Sequence, residues 1–268
     1  LARGKLRIVP LKSGNFHFDF DALADAITTE TRLLITNIPN NPTGATWTLE
    51  ELDQLAAVVR ETDALILSDE VYGPMVYDGQ SALSILHSPA LRERSLVTAS
   101  FGKILHATGW KIGYIIAPEN WTHEIRKVHQ YDVFSTGAPF QEGIARFLSS
   151  ASGQEHLSEL APFYQEKRDR LLSGLAGSPW RFEPAEAGYF QVLDYSPFDE
   201  RDDRTVTQSW CRQPKGLGIA LIPLSPFYPA QDSSLKPSQK VRVCFAKNTA
   251  TLDEGIQRLL QLPSLQKK

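Results

Sequence analysis

Cysteine is scarce in this chain, methionine scarcer, and no charge sign dominates. The two cysteines, Cys211 and Cys244, stand too far apart for metal-ligand spacing, so a disulfide framework or a zinc ribbon is excluded as the organising principle. Cys244 alternates with apolar neighbours, the pattern of a buried strand residue, and a reduced, cytoplasmic setting follows. The six histidines are scattered without a paired motif, and no metal site is expected. Twenty-eight Lys plus Arg against 31 Asp plus Glu leave a formal charge of -3, which gives no electrostatic footprint for nucleic acid or an anionic membrane. No uninterrupted apolar stretch reaches the length of a membrane span, and the first ten residues carry Arg3, Lys5 and Arg7 where a signal peptide would have its apolar core. Small molecules are the expected partners.

What is present is an ordinary globular composition, 42% hydrophobic over 268 residues, enough to bury a full core. Apolar runs of strand length alternate with helical periodicity. Thr31 to Thr36 reads as a buried strand, Ala64 to Leu67 and Leu96 to Ala99 as two more. Between the first two, Thr48 and Glu51 have the spacing of a capping box, and Leu52, Leu55, Ala56 and Val59 share one helical face. This order predicts an α/β fold with a mainly parallel sheet covered by helices.

Later the pattern changes. Leu160, Phe163, Tyr164, Leu171, Leu172 and Leu175 mark a long amphipathic helix closed by Gly177 and Ser178-Pro179. Short strands follow at Tyr189 to Leu193, Ile219 to Pro223 and Val241 to Phe245, then a helix over Thr251 to Leu260. The change predicts a larger domain over 1–160 and a smaller α+β domain over 161–268. Asp199 to Arg204 reads as a charged, solvated loop.

Three segments carry the chemistry. They are Asn40-Asn41-Pro42-Thr43-Gly44, then Ser68-Asp69-Glu70-Val71-Tyr72, then Ser100-Phe101-Gly102-Lys103 running on to Gly109-Trp110-Lys111-Ile112-Gly113-Tyr114. Each follows an apolar run and so belongs at the carboxyl end of a strand, where open α/β sheets bind ligands. Taken singly each has a bland reading. Asn-Pro-Thr-Gly is a common turn, an acid after a strand can cap a helix or face water, and a lone lysine is a solvated charge. Arg242, between Val241 and Val243, is either an edge residue reaching solvent or a buried head that needs an anionic partner.

The order of these motifs, from about Thr31 to about Arg258, resembles the pyridoxal 5'-phosphate (PLP) enzymes of fold type I, the aspartate aminotransferase superfamily. Gly109-Trp110-Lys111, Gly188-Tyr189-Phe190 and Val241-Arg242-Val243-Cys244-Phe245-Ala246 are most similar to the kynurenine, glutamine and methionine aminotransferases. The resemblance implies a PLP-binding large domain, a smaller C-terminal domain and a homodimer.

It also implies roles. Lys103 is then the catalytic lysine that holds PLP as a Schiff base and moves the substrate proton. Asp69 pairs with the pyridine nitrogen, and Asn41 and Tyr72 hydrogen-bond the ring's phenolic oxygen. Ser100 and Lys111 meet the phosphate, Lys111 as a point charge where many members of the superfamily have arginine. Arg242 grips the substrate carboxylate, with Asn41 beside it. Glu70 is expected to be structural, Tyr189 and Phe190 to pack the core, and His17, His106 and His129 to be structural as well. Gly109 and Gly113 are expected to let backbone approach closely.

The implied reaction is ping-pong transfer of an amino group from an L-amino acid, methionine, glutamine, aromatic or kynurenine-like, to a 2-oxo acid. The alternative is a cysteine-conjugate β-lyase, which shares the early chemistry. A ligand-sensing domain without catalysis is a third reading, and nothing here resembles the helix-turn-helix it would accompany. Members of the superfamily begin well before the point where this resemblance enters, and no Gly-rich phosphate loop precedes Asn41. A fragment, a processed chain or one piece of a split polypeptide is therefore expected, with apolar faces of the large domain left uncovered.

Overall fold

The computed structural model of the chain describes residues 3–212, 217–228 and 239–265. Two compact units are present, Leu1–Pro39 with Ala45–Leu160, and Asn40–Gly44 with Ala161–Lys268.

The first unit opens with α1 (Phe20–Ala26), whose N-cap Asp19 accepts the Ala22 amide. Strand β1 (Leu33–Asn37) leads to α2 (Leu49–Val59). Here the capping box forms: Thr48 Oγ1 accepts the Glu51 amide at 3.1 Å and Glu51 Oε2 accepts the Thr48 amide at 2.9 Å. Strand β2 (Leu65–Asp69), the short α3 (Pro89–Arg92) and β3 (Ser95–Ser100) follow, then the four-residue α4 (Phe101–Ile104) and β4 (Gly113–Ile116). The sheet order is β1-β2-β3-β4, with the first three strands parallel and β4 antiparallel to β3. The unit closes through α5 (Glu119–Asp132), α6 (Ala138–Leu148) and the first part of α7 (Ala151–Leu175).

One sheet face carries the core. Ile66 and Val97 point into a cluster with Leu23, Ile38, Trp47, Leu52, Leu55, Val59, Ile85 and Leu91. Side chains alternate across a strand, so Leu33, Ile35, Leu65, Leu67 and Leu96 share the opposite face. Leu33 is 47% and Ile35 62% exposed, which corrects the expectation of a fully buried first strand. An apolar run signals that a strand can be buried, and burial also requires a covering layer. Strand β4 is exposed throughout.

The second unit holds the rest of α7, then β5 (Phe190–Asp194), α8 (Asp203–Cys211), β6 (Ile222–Pro223), β7 (Lys240–Cys244) and α9 (Thr249–Leu265). The strands pair antiparallel in the order β5-β7-β6. Leu171, Leu175, Leu193, Val241, Phe245, Leu259 and Leu262 are buried beside an aromatic group in which Trp210 meets Trp180 at 5.9 Å and Tyr195 at 5.3 Å. Gly174 sits where a Cβ would come within 2.7 Å of Ile256 Cγ2, so a side chain there would push α9 off α7. Helix α7 starts nine residues before the expected Leu160, Phe163 on it is 46% exposed, and Gly177 ends it at φ 73°.

The segment Asp199 to Arg204 is solvated only in part: Glu200, Asp202 and Arg204 are exposed, but Asp199 and Asp203 are not. Asp199 and Asp203 are 6% and 5% exposed. Asp199 receives two hydrogen bonds from the Arg201 guanidinium, Asp202 caps α8, and Asp203 Oδ2 accepts the Ser225 amide at 2.6 Å. Asp199 and Asp203 can be buried because each is paired or hydrogen-bonded.

Candidate active site

Because β1, β2 and β3 run in parallel, their carboxyl ends fall on one edge of the sheet, and Asn37, Asp69 and Ser100 end there together. Asp69 is paired in register with Asn37 on one side and Thr98 on the other. Its carbonyl accepts the Ile38 amide at 3.0 Å and Asn37 Nδ2 at 3.3 Å. Its half-buried carboxylate accepts the Val71 amide at 3.3 Å through Oδ1.

Glu70 locks this strand end. Its Oε1 accepts the Ser68 hydroxyl and the Ile85 amide, both at 3.0 Å, and its own amide donates to Thr98 O at 2.9 Å. Burial pushes the Glu70 carboxyl above the ordinary carboxylate range, against those hydrogen bonds. Tyr72, 3% exposed, sits on the turn just beyond, where its carbonyl accepts the Met75 amide at 2.9 Å.

Ser100 caps α4. Its Oγ accepts the Gly102 amide at 3.1 Å and donates to Ile112 O at 3.2 Å, so its proton is directed to the protein and a phosphate would have to draw it away. Lys103 is half-buried in the middle of this turn, and among the described residues its amine has no hydrogen bond or ion pair. Lys111 is exposed and left-handed at φ 58°. A Cβ on Gly113 would lie 2.7 Å from Ala99 O, so glycine there permits close pairing with β3; Gly109 faces open space, contrary to the expectation for it.

Asn41 and Arg242 belong to the other unit. The turn Asn40–Gly44 is folded by Asn40, whose Oδ1 accepts the Thr43 hydroxyl at 2.8 Å and whose carbonyl accepts the Gly44 amide at 2.8 Å. Gly44 has φ 78°, its carbonyl accepts the Glu186 amide at 3.1 Å, and a Cβ there would sit 2.6 Å from Ala185 Cβ. Arg242 Nη1 donates to Asn41 Oδ1 at 2.5 Å. The Arg242 guanidinium lies over the Phe190 ring at 4.0 Å and over Phe227 at 5.2 Å. Phe190 therefore holds the arginine instead of only packing the core. Val192 pairs with Arg242 in register, which puts Phe190 diagonally across on the same face, a pairing that the sequence of neither strand announces. Cys244 shares that face and is half-buried, not buried.

The family model of the class I and II aminotransferases matches residues 1–259. The chain belongs to the class I and II aminotransferases.

Methionine aminotransferase of Escherichia coli (strain K12) is 37% identical over 262 residues, 98% of this chain and 66% of that protein. Kynurenine–oxoglutarate transaminase 1 of Mus musculus is 32% identical, covering 92% of this chain and 61% of its own length. Among solved structures, the methionine aminotransferase of Escherichia coli superposes with a TM-score of 0.87 at 38% identity, over 94% of this chain and 64% of the other. The N-succinyldiaminopimelate aminotransferase of Mycobacterium tuberculosis gives 0.84 at 32%, over 96% and 64%. This chain thus spans a little under two thirds of the relatives it matches.

The fold is that of the PLP-dependent type I aminotransferases, and PLP is the cofactor of the family. The donor set here fits it. An amine with no acidic partner can bond an aldehyde, and a half-buried carboxylate at the same sheet edge can hold a ring nitrogen in its protonated form. The exposed Lys111 cation suits a phosphate. Among the described residues there is no group of three metal-ligating side chains and no helix long and apolar enough to cross a membrane.

Proposed function

We propose that the chain serves amino-group transfer between an L-amino acid, methionine, glutamine, aromatic or kynurenine-like, and a 2-oxo acid, in two half-reactions on one cofactor. The observation that carries this reading is Lys103: an amine without a partner in the described residues, seated in a capped turn at the strand edge where Asp69 also ends. The methionine and kynurenine relatives support the substrate class.

PLP, when bound, supplies an electron sink for the substrate's α-carbon. Lys103 Nζ would hold the cofactor's aldehyde carbon and would also be the base for the proton on the substrate's α-carbon. Asp69 would keep the pyridine nitrogen protonated, and Asn41 and Tyr72 would donate to the ring oxygen. Ser100 and Lys111 would bind the phosphate, and Arg242, with Asn41, the substrate carboxylate. We take residues 1–160 as the cofactor domain and 161–268 as the smaller one, and propose a cytoplasmic homodimer as in the superfamily this chain resembles.

The deciding experiment adds PLP to the purified protein, follows its visible absorption, reduces with borohydride and maps the label. A phosphopyridoxyl group on Lys103 and conversion of methionine to its 2-oxo acid are expected. A label on another lysine, or no half-reaction with any amino acid, would overturn the reading. Pyruvate and ammonia released from a cysteine conjugate with no 2-oxo acid present would favour the β-lyase.

A further inference from the structure

We propose that His156 is a positioning residue for Lys103, acting through the backbone of the turn that carries it. The inference rests on the reading of Lys103 as the cofactor lysine.

A four-residue helix has almost no internal hydrogen bonds, so its carbonyls need outside donors. In α4 the Phe101 carbonyl takes the Leu105 amide at 2.9 Å and the Gly102 carbonyl takes the Thr108 hydroxyl at 2.9 Å. Both donors are local. The Ile104 carbonyl is instead held by His156 Nε2 at 2.6 Å, from α7, across 52 residues of sequence. A carbonyl only accepts, so Nε2 carries the proton. Gly102 and Ile104 flank Lys103, and with both carbonyls fixed the direction in which the lysine leaves the backbone is fixed too.

His156 is itself firmly placed. Ser150 opens α7, its Oγ accepting the Gly153 amide at 3.1 Å and its carbonyl the Gln154 amide at 3.1 Å. A Cβ on Gly153 would fall 1.9 Å from the Phe147 carbonyl, so only glycine lets this first turn close onto the end of α6. The His156 ring then meets Phe147 at 5.8 Å and His106 at 5.4 Å, both edge-on. His106 is held below the usual imidazole range, by burial first and by His156 second.

The test measures Lys103 itself. The 268-residue chain and its H156A, H156Q and H156L variants are acetylated without PLP across a pH series, and modification of Lys103 is mapped against the exposed Lys12 in the same sample. Loss of the donor in H156A or H156L is expected to change the Lys103 rate by about threefold to tenfold and shift its pH profile. Lys12 should stay unchanged, and H156Q, which keeps an N–H donor, should return Lys103 toward the parent. With PLP added, the pH dependence of the visible band should move in the same variants. Superimposable Lys103 profiles in parent and H156L, or a folded H156Q that behaves as H156L does, would overturn the proposal. Should H156A not fold, the comparison of H156Q with H156L decides. If the parent takes up no cofactor on Lys103, the functional reading fails, whereas the inference about His156 fails only on the acetylation profiles.

Discussion

The Arg242 guanidinium sits 4.0 Å above the centre of the Phe190 ring. An arginine in a strand has many rotamers, and an aromatic face beneath it removes most of them while leaving the edge of the fork available to an anion. F190L should therefore weaken amino acid binding through KM, by about twofold to thirtyfold if the stacking contributes ~0.5–2 kcal/mol. Steady-state kinetics with methionine separates this from a fall in kcat, and an unchanged KM would remove Phe190 from carboxylate recognition.

Ser100 is engaged twice by its own surroundings, with the Gly102 amide and with Ile112 O. S100A should cost about 1 kcal/mol of stability through the lost cap, and should weaken the cofactor as well if the hydroxyl also serves the phosphate. Thermal melts with and without PLP distinguish the two: an equal loss in both states would assign Ser100 to the fold alone.

The raised pKa of Glu70 has a definite sign in stability. Burial makes the folded chain hold this proton more tightly than the unfolded chain does. Its stabilising contribution is complete below the ordinary carboxylate value and is lost as pH rises through the folded value. E70Q removes that titration and keeps an acceptor for the Ile85 amide, so its melting temperature should fall less than the parent's as pH rises from the ordinary carboxylate value. A parallel pair of curves would mean that the carboxyl titrates normally.

Glu51 works in the opposite sense. Burial raises its pKa, but the hydrogen bonds from His17 and the Thr48 amide outweigh burial and leave it lowered. Stability from this group is present above the unfolded value and lost as pH falls through the folded one. H17A should reduce the acid sensitivity of unfolding, and an unaltered acid limb would assign the lowering to Thr48.

Sequence made the strand ends legible because an apolar run followed by a polar turn is a local signal. The same holds for the Thr48 and Glu51 box, whose partners are three residues apart. Contacts that depend on packing were not legible. Nothing near Ile104 announces a donor on α7, and the four acids and two arginines of Asp199 to Arg204 read as solvated throughout, since pairing of Asp199 with Arg201 needs a bend that composition does not encode. The exposed face of β1 is not legible for a related reason: Leu33 and Ile35 have the residue types of a core, whereas exposure depends on what lies above them. The roles proposed for Lys103, Asp69 and Arg242 come from motif order, and the experiments above test them.

The turn Asn40–Gly44 groups with the C-terminal residues although the chain on either side of it groups with the N-terminal ones. A peptide starting at Ala161 would lack the Gly44 carbonyl that receives the Glu186 amide and the Asn41 oxygen that receives Arg242. The smaller unit is thus not a contiguous stretch of gene. Grafting it onto another protein, or exchanging it between relatives to alter substrate choice, would require carrying this loop along with the tail, because chimeras joined only at Leu160 would set one protein's turn against the other's C-terminal residues.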